Sequence, residues 1–311
     1  MVNESFALAS TLRACDLQLL TLGKQLDLNN DAFNRQCVSA RPDNNRNLRI
    51  AALSANKITT AETLVANAVA DNTCTLTRPG KRLINPATLL KSYFTIEEYE
   101  ADIDESTVVQ DAVWGAIKFS MSSANNLLTA DPSLVGTGQI QTLANGSSPM
   151  FANPVATTDT PFSVVDATIR FGGVDLVELT SFDLSLNINP TASQAFGSPG
   201  QKFSPDVFRA PFQVSMNLTA LRKSLARLAD FIAETRYTLH VLAVDNTAEP
   251  KDFLSITVPE FTLGSVDPSA FTKQGGPRTE AISIPAGLVG VPTDTANGFD
   301  PTMISFQTTA G

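Results

Sequence analysis

Apolar and polar residues alternate most regularly in two segments of the C-terminal half. One segment is SFDLSLNIN at residues 181–189, and the other is FQVSMNL at residues 212–218. Because successive side chains of a strand point to opposite faces, each segment predicts a half-buried antiparallel strand. The apolar faces are Phe182, Leu184, Leu186 and Ile188 in the first segment and Phe212, Val214, Met216 and Leu218 in the second.

A helical spacing follows the second strand pattern. Its apolar positions are Leu221, Leu225, Leu228 and Ile232. With Thr219 as an N-cap, they predict a helix over residues 219–234 whose apolar stripe packs on the sheet. Four more strand patterns follow, in the order YTLHVLAV, FLSITVPEFTL, EAISIPA and MISFQTT. Strands on both sides of one helix predict, for residues 161–311, an antiparallel β-sandwich or barrel with one flanking α-helix.

The N-terminal half is less regular. Residues 1–47 are expected to form a helix between Phe6 and Leu22, where apolar residues recur at helical spacing, and then a loop rich in Asn and Asp. Residues 48–90 carry three short strand patterns and predict a small inserted β subdomain. Residues 91–160 predict a first, reduced β half that ends in a linker rich in Ser, Thr, Pro and Asn. The chain is therefore expected to be mainly β, with a smaller β-rich half before the C-terminal barrel.

An internal similarity links the two halves. The segment around Asp131-Pro132-Ser133 and the segment around Asp267-Pro268-Ser269 share an order of strand, turn, Gly-containing loop and strand. A diverged duplication would explain this order. Asp-Pro-Ser is also a common turn sequence, so a chance similarity stays open.

A long connection separates the two regular strands. Residues 189–209 contain three Pro, two Gly and three aromatic residues, which are Phe196, Phe203 and Phe208. A loop of this length in a small domain usually has a function, and exposed aromatic side chains favour contact with a partner. We expect this segment, called the arm below, to dock on a neighbouring subunit. A flap that folds back on its own barrel is the alternative.

Acidic residues cluster between residues 97 and 105, without Lys or Arg among them. They can form a solvated strand face, or a repulsive wall from which nucleic acid slides away. Glu98, Glu100 and Asp102 are the candidates for such a wall. The net charge of −9 agrees with either interpretation and disfavours binding of phosphates through counterion release.

The remaining composition argues against catalysis. His240 is the single histidine and lies in a strand pattern, and Cys15, Cys37 and Cys74 have no metal-site or disulfide spacing. No nucleotide-binding, metalloprotease or calcium-loop motif is present. We therefore expect no catalytic, metal-binding or cofactor-binding residues and no enzyme activity. The charged fraction of 17% is low, which favours a protein that covers much of its surface by assembly. No signal peptide or membrane span is predicted.

In their order and sequences, the C-terminal segments resemble those of the tail tube proteins, or major tail proteins, of long-tailed (siphovirus-type) bacteriophages. The resemblance lies in VVDATIRFGGVDLVELTSFDLSLNIN, the long loop, FRAPFQVSMNLTAL, the helix, RYTLHVLAV, DFLSITVPEFTLGSV and EAISIPAGL. It covers roughly residues 164–308. The segments NRNLRIAALSANKITTAE to LTRPGKRLIN and SYFTIEEYE are similar to the middle region of a branch with two barrels. Only about 45 residues precede them here, fewer than is usual in that branch.

The resemblance implies a structural role. Such subunits join their sheets edge to edge into rings around a lumen for DNA, and the rings stack through long loops. The arm would then contact the next ring, and the helix over residues 219–234 would lie outside the lumen sheet. Glu98, Glu100 and Asp102 would line or rim the lumen, and other tail proteins would bind at the tube ends. Duplicated halves would give a trimeric ring with pseudo-sixfold symmetry, whereas one complete barrel per chain would require a hexamer. Of these two, we expect the trimer. The expected location is the virion tail, after assembly in the host cytoplasm.

Two other functions stay open on the residues alone. A β-sandwich at the tail tip or on the capsid would bind a partner without polymerising. A glycan hydrolase would need converging carboxylates and aromatic platforms, and the chain has one Trp and three Tyr. The small number of these residues counts against the hydrolase.

Overall fold

The structure is a computed structural model. Of the first 79 residues it describes only the backbone of short strands. From there it describes residues 80–84, 91–144, 146–151, 161–164, 167–196, 203–245, 252–270, 276–292 and 301–309.

The short N-terminal strands form two small sheets. They are β1 (Glu4–Ser5), β2 (Asp16–Leu17), β3 (Arg35–Val38), β4 (Asn47–Leu48), β5 (Ile50–Ser54), β6 (Lys57–Thr60) and β7 (Thr75–Thr77). One sheet has the order β1-β7-β3-β4 and the other β2-β6-β5. The prediction of a helix between Phe6 and Leu22 is contradicted by strand β2, which lies within this range and pairs with β6. The segment that was predicted to be a loop contains strand β3. Pairing with a distant strand overrides a local helical spacing, and the other residues of that predicted helix lie outside the described ones.

Longer strands make up the rest of the fold. They are β8 (Lys81–Ile84), β9 (Phe94–Glu100), β10 (Glu105–Ser122), β11 (Asn125–Val135), β12 (Ile140–Leu143), β13 (Thr168–Phe171), β14 (Val174–Asp175), β15 (Leu179–Asn187), β16 (Thr191–Ala192), β17 (Val207–Phe208), β18 (Gln213–Leu221), β19 (Tyr237–Val244), β20 (Phe253–Phe261), β21 (Ser265–Pro268), β22 (Thr279–Ile284) and β23 (Ser305–Thr308). Helix α1 (Ala226–Ile232) follows β18, and a 3-10 turn (Ala286–Leu288) follows β22.

These strands form two antiparallel sheets. The eight-stranded sheet has the order β11-β10-β15-β18-β22-β21, with β9 and β12 also paired to β10. The six-stranded sheet has the order β14-β13-β19-β20-β23-β8. The prediction of a mainly β, antiparallel fold with a helix beside it is confirmed.

The core lies between the two sheets. Phe182 and Leu184 of β15 and Val214 of β18 are completely buried, as their alternation predicted. They belong to one apolar cluster with residues of the six-stranded sheet such as Leu239 and Val258. Burial of these side chains on one face leaves the alternate, polar positions on the other face.

Helix α1 differs from the prediction in both length and packing. Thr219 and Leu221 belong to β18, because pairing with β15 and β22 satisfies their backbone groups. Leu225 and Ile232 are 62% and 74% exposed, so the predicted stripe does not pack on the sheet. Phe231 contacts the core instead, and Leu228 is half-buried.

The linker predicted at the end of residues 91–160 does not divide the chain into two halves with separate sheets. The long strand β10 pairs with β15, and β8 pairs with β23, so strands from before residue 144 complete both C-terminal sheets. Which strands pair depends on their free edges and on the faces that they bury, and a linker-like composition gives no information about either. The two Asp-Pro-Ser segments lie at β11 and β21 rather than in turns, and these are the two end strands of the same sheet. Proline is tolerated at such edges because it lacks a backbone N–H.

Candidate assembly surfaces

The face of the eight-stranded sheet that points away from the core carries short polar side chains. The residues chosen from its four central strands β10, β15, β18 and β22, called the polar face below, are Lys118, Ser120, Ser122, Ser181, Asp183, Ser185, Ser215, Asn217, Thr219 and Ser283. Strand register aligns them in rows, and one row runs from Ser120 through Asp183 and Asn217 to Ser283. None of these residues is buried. The result is a flat surface of mostly short side chains across four strands.

Opposite charges of the polar face neutralise each other. Asp183 accepts a hydrogen bond from the Ser120 hydroxyl at 2.6 Å, and the Lys118 Nζ lies 3.2 Å from the same carboxylate. The other members of the polar face are uncharged. These four strands therefore present little fixed charge to a molecule that passes over them. The register places two exposed carboxylates, Asp131 on β11 and Asp267 on β21, at the flanks of the same face.

Strands β11 and β21 form the two ends of this sheet. The backbone N–H of Leu128 donates to the Phe162 carbonyl at 3.1 Å, but beyond Leu128 the outer edge of β11 has no strand partner among the described residues. The outer edge of β21 likewise has none within that part of the chain. Unpaired edges of this kind can pair with a strand of another chain.

The arm is tied at its base. Strands β16 and β17 pair with each other, and Val207 is completely buried. The backbone N–H of Ser204 donates to the Thr137 carbonyl at 2.8 Å. The Tyr93 hydroxyl donates to Asp206 at 2.8 Å, and Lys91 forms an ion pair with the same carboxylate. The Lys91 ammonium, and then the Tyr93 hydroxyl, lower the pKa of Asp206 to about 2.

The three aromatic residues of the arm differ in environment. Phe196 is 96% exposed and Phe208 is 55% exposed. Phe203 is half-buried and lines a cavity of about 430 Å³ together with residues near Thr137 and Ile140. The base of the arm thus folds on its own chain, while Phe196 and Phe208 project from it. Residues 197–202 lie outside the described residues.

The candidate acidic residues lie on a different strand pair from the polar face. Glu98 and Glu100 are exposed on β9, and Asp102 is exposed in the turn before β10. Strand β9 pairs with the first part of β10, whereas the polar face includes the second part. Glu97 points to the other face of β9, where its carboxylate accepts hydrogen bonds from the backbone N–H groups of Met150 and Phe151 at 2.6 and 2.8 Å.

Buried titratable groups serve as internal contacts. His240 is buried in β19 with Nδ1 at 3.1 Å from the Thr257 hydroxyl. Burial, and then the nearby Arg170, lower the pKa of His240 to about 3, so the ring is neutral at physiological pH. Arg227 of α1 binds Glu178 and the buried Glu280. Among the described residues, no group of three or more His, Cys, Asp or Glu could hold a metal ion.

The arm is visible in the sequence as a long loop, but the polar face is not. The signal for the polar face was present as the Ser, Asn and Asp residues between the apolar positions of β15 and β18. What the pattern lacked was the register that aligns these positions across four strands. Lys118 and Ser120 could not be added without it, because they come from the N-terminal half.

Comparison with known proteins gives one positive finding. A family model described as phage tail tube protein matches residues 31–304. None of the curated proteins compared with the chain matches it. No helix in the described residues is long and apolar enough to cross a bilayer.

Proposed function

This chain belongs to the phage tail tube protein family, a structural component of the virion tail, and from that membership we propose that its copies close into rings that stack around a DNA-conducting lumen. Assembly would take place in the host cytoplasm, before the virion is complete. The proposed partners are other copies of this chain and the tail proteins at the tube ends.

The polar face carries this proposal. A channel for DNA needs a wall that neither binds phosphates nor offers an apolar surface to bases. The side chains of the polar face are short and mostly uncharged, and Lys118 is compensated by Asp183 at 3.2 Å. We therefore assign the lining of the lumen to the polar face rather than to Glu98, Glu100 and Asp102.

The end strands of the sheet provide the means of ring closure. If β11 of one copy pairs with β21 of the next, backbone groups at both edges gain partners and the sheet continues around the ring. Such a head-to-tail contact closes when the rotation between copies divides a full turn. A closed ring would also remove both end edges of this sheet as sites of aggregation.

The shared sheet supports a ring of six copies. The N-terminal half contributes β10 and β11 to the C-terminal sheet, so the described part of each chain offers one long sheet for the lumen instead of two. Two sheets per chain would have favoured the trimer with pseudo-sixfold symmetry. Six single sheets would give the same number of sheets around the lumen as three pairs.

The arm supports stacking between rings. It leaves the sheet at the end of β15 and returns at the start of β18, so it extends from one end of the sheet. Phe196 and Phe208 project from a base that Asp206, Lys91 and Tyr93 hold in place. We propose that these two aromatic residues contact the next ring and that Phe203 anchors the arm to its own chain.

Electron microscopy of the purified chain tests the proposal. We expect rings and tubes of constant width, with sixfold symmetry in end views. Monodisperse monomers at high protein concentration would instead support a virion β-sandwich that does not polymerise. For the arm, Phe196→Ala combined with Phe208→Ala should leave rings that fail to stack, and long tubes from this variant would remove its assigned role. The exposed Leu225→Ala serves as the matched control, since it also removes an exposed apolar side chain.

A further inference from the structure

A cavity of about 480 Å³ lies at the end of the subunit where β10 stops and β15 begins, and residues of β10, β13 and β15 line it. Val177 and Ser123 also line it and are exposed, so they mark its mouth. Much of the remaining lining belongs to the core or packs against it, namely Met121, Val164, Ala167, Ile169, Leu176 and Leu179. The cavity is therefore an opening of the core to solvent at one end of the subunit.

The lining favours a neutral, apolar occupant. Of the described residues that line it, only Asp175 carries a charge, and its carboxylate accepts a hydrogen bond from Arg170 Nε at 2.9 Å. The Thr180 hydroxyl donates to the Thr219 carbonyl at 3.0 Å. Because this charge and this hydroxyl are already paired, the cavity offers little to an ion. An apolar cavity of about 150 Å³ can hold a benzene ring, so this one has room for an aromatic side chain.

Phe196 of the arm is an exposed aromatic side chain at the other end of the sheet. It is 96% exposed, more than any other large apolar residue in the described part of the chain. The arm follows Asn187, the last residue of β15, whereas Leu179, the first residue of β15, lines the cavity. A strand of this length separates its ends by about 27 Å. One chain thus carries an exposed aromatic side chain at one end and an apolar cavity at the opposite end.

We propose that Phe196 of a subunit in one ring enters the cavity of a subunit in the next ring. An exposed apolar side chain and a pocket elsewhere on the same molecule form a head-to-tail contact, which can repeat along an axis without closing. A tube that grows by adding identical rings needs such a contact. Transfer of Phe196 from water into the cavity is favourable in proportion to the apolar area that it buries. The proposal rests on the stacking of rings proposed above and names the surface that receives the arm.

The size of this contact makes it depend on the ring. A phenylalanine side chain buries about 150–250 Å². A stable pair of proteins buries roughly 800 Å² on each partner, so two separate subunits should not associate through this contact alone. Six such contacts form together when two rings of six subunits meet, and each one strengthens the others by holding the rings in place. Rings should therefore form first and then stack.

Filling the cavity tests the contact in the full-length chain. Ser123→Phe places an aromatic side chain at the mouth, so rings should still form while the protein concentration needed for half-maximal tube growth rises roughly tenfold. Leu225→Phe is the matched control and should stay within about twofold of the wild type, because Leu225 is exposed at the same end of the sheet but does not line the cavity. Light scattering and electron microscopy measure tube growth, and thermal unfolding verifies that each variant is folded.

A double-mutant cycle tests whether Phe196 and the cavity act together. Phe196→Ala should raise the concentration for tube growth about as much as Ser123→Phe does. The chain with both substitutions should be no more than about twofold worse than either single variant, because each substitution removes the same contact. Independent effects would multiply to roughly a hundredfold and would exclude the pairing.

Fluorescence reports the environment of position 196 directly. Phe196→Trp combined with Trp114→Phe leaves one tryptophan in the chain, since Trp114 is the single native one. Its emission should shift to shorter wavelengths and resist quenching by acrylamide in tubes, but not in unstacked rings. Tubes with the emission of an exposed indole, or normal tube growth of the folded Ser123→Phe variant, would overturn the contact with the cavity while the stack of rings stands. Absence of wild-type rings and tubes would overturn the proposed function itself.

Discussion

Replacing Arg227 with Leu should destabilise the unassembled chain by about 3 kcal/mol. Arg227 lies on α1 and binds Glu178 at 3.0 Å and also Glu280, whose side chain is only 2% exposed. Leucine keeps part of the apolar volume but leaves the Glu280 carboxylate buried without its cation. Loss of one partner of a buried ion pair typically costs about 3–5 kcal/mol. Arg227 and Glu178 keep 18% and 22% of their side chains exposed, so we expect the lower end of that range.

Lys223 offers a matched control on the same carboxylate. Its Nζ lies 2.9 Å from Glu178, but its side chain is 65% exposed. Lys223→Leu should therefore cost less than about 1 kcal/mol. Urea unfolding at neutral pH, under conditions that prevent assembly, measures both variants as shifts of the midpoint at constant slope. The combination of Arg227→Leu with Glu280→Leu should recover much of the loss, since no charge then stays buried.

An Arg227→Leu variant within about 1 kcal/mol of the wild type, or equal effects of Arg227→Leu and Lys223→Leu, would refute the stabilising role of this ion pair. The first result would mean that water reaches Glu280 in the native chain. The second would mean that the exposed and buried partners of Glu178 contribute alike. Either outcome would mean that the ion pairs of α1 do not stabilise the sandwich.

Three further predictions concern the core, the arm and the lumen. Leu184→Ala should cost about 2–5 kcal/mol in urea unfolding, because Leu184 is fully buried, whereas Leu225→Ala should change stability by less than about 0.5 kcal/mol. The Asp206 carboxylate should titrate near pH 2, so its contacts at the base of the arm are complete above its ordinary pKa of 3.8 and are lost as the pH falls toward 2. The Val207 amide signal in NMR reports this titration, since it donates to Asp206 at 2.7 Å, and a midpoint near 3.8 would contradict the contact. Ser215→Lys adds a cation to the polar face, so tubes should still form while DNA ejection slows, and a rate equal to that of particles with Asp252→Lys, at an exposed position outside the polar face, would argue against the lumen assignment.

Local patterns identified the strands that have one apolar face and one polar face. The alternation in β15 and β18 predicted both their existence and their buried residues, because a strand with one apolar face admits only one orientation toward a core. The arm was also visible, since about twenty residues rich in Pro, Gly and aromatic side chains separate two regular strands. The resemblance to tail tube proteins depended on the order of these same segments, and the matching family model confirms it.

Other features depended on partners that are distant along the chain. Thr219 fits an N-cap and Leu221 a helical spacing, yet Thr219 pairs with β15 and β22 and Leu221 pairs with β22. Backbone groups in a sheet gain more from neighbouring strands than from an isolated helical turn. The N-terminal half looked like a separate unit, but β10 extends the C-terminal sheet. Neither outcome follows from the local sequence.

The sequence by itself thus determined that this protein is a β-rich structural subunit with a long aromatic arm, because face alternation and loop composition are local properties. Only the tertiary structure decided which polar residues share a surface and which strand edges stay open. Register aligns Ser120, Asp183 and Asn217 across three strands that are separated by many residues in the chain. The order of strands leaves β8, β9, β11 and β21 at edges. Both depend on long-range pairing, in which each strand selects its neighbour through the shared burial of a core.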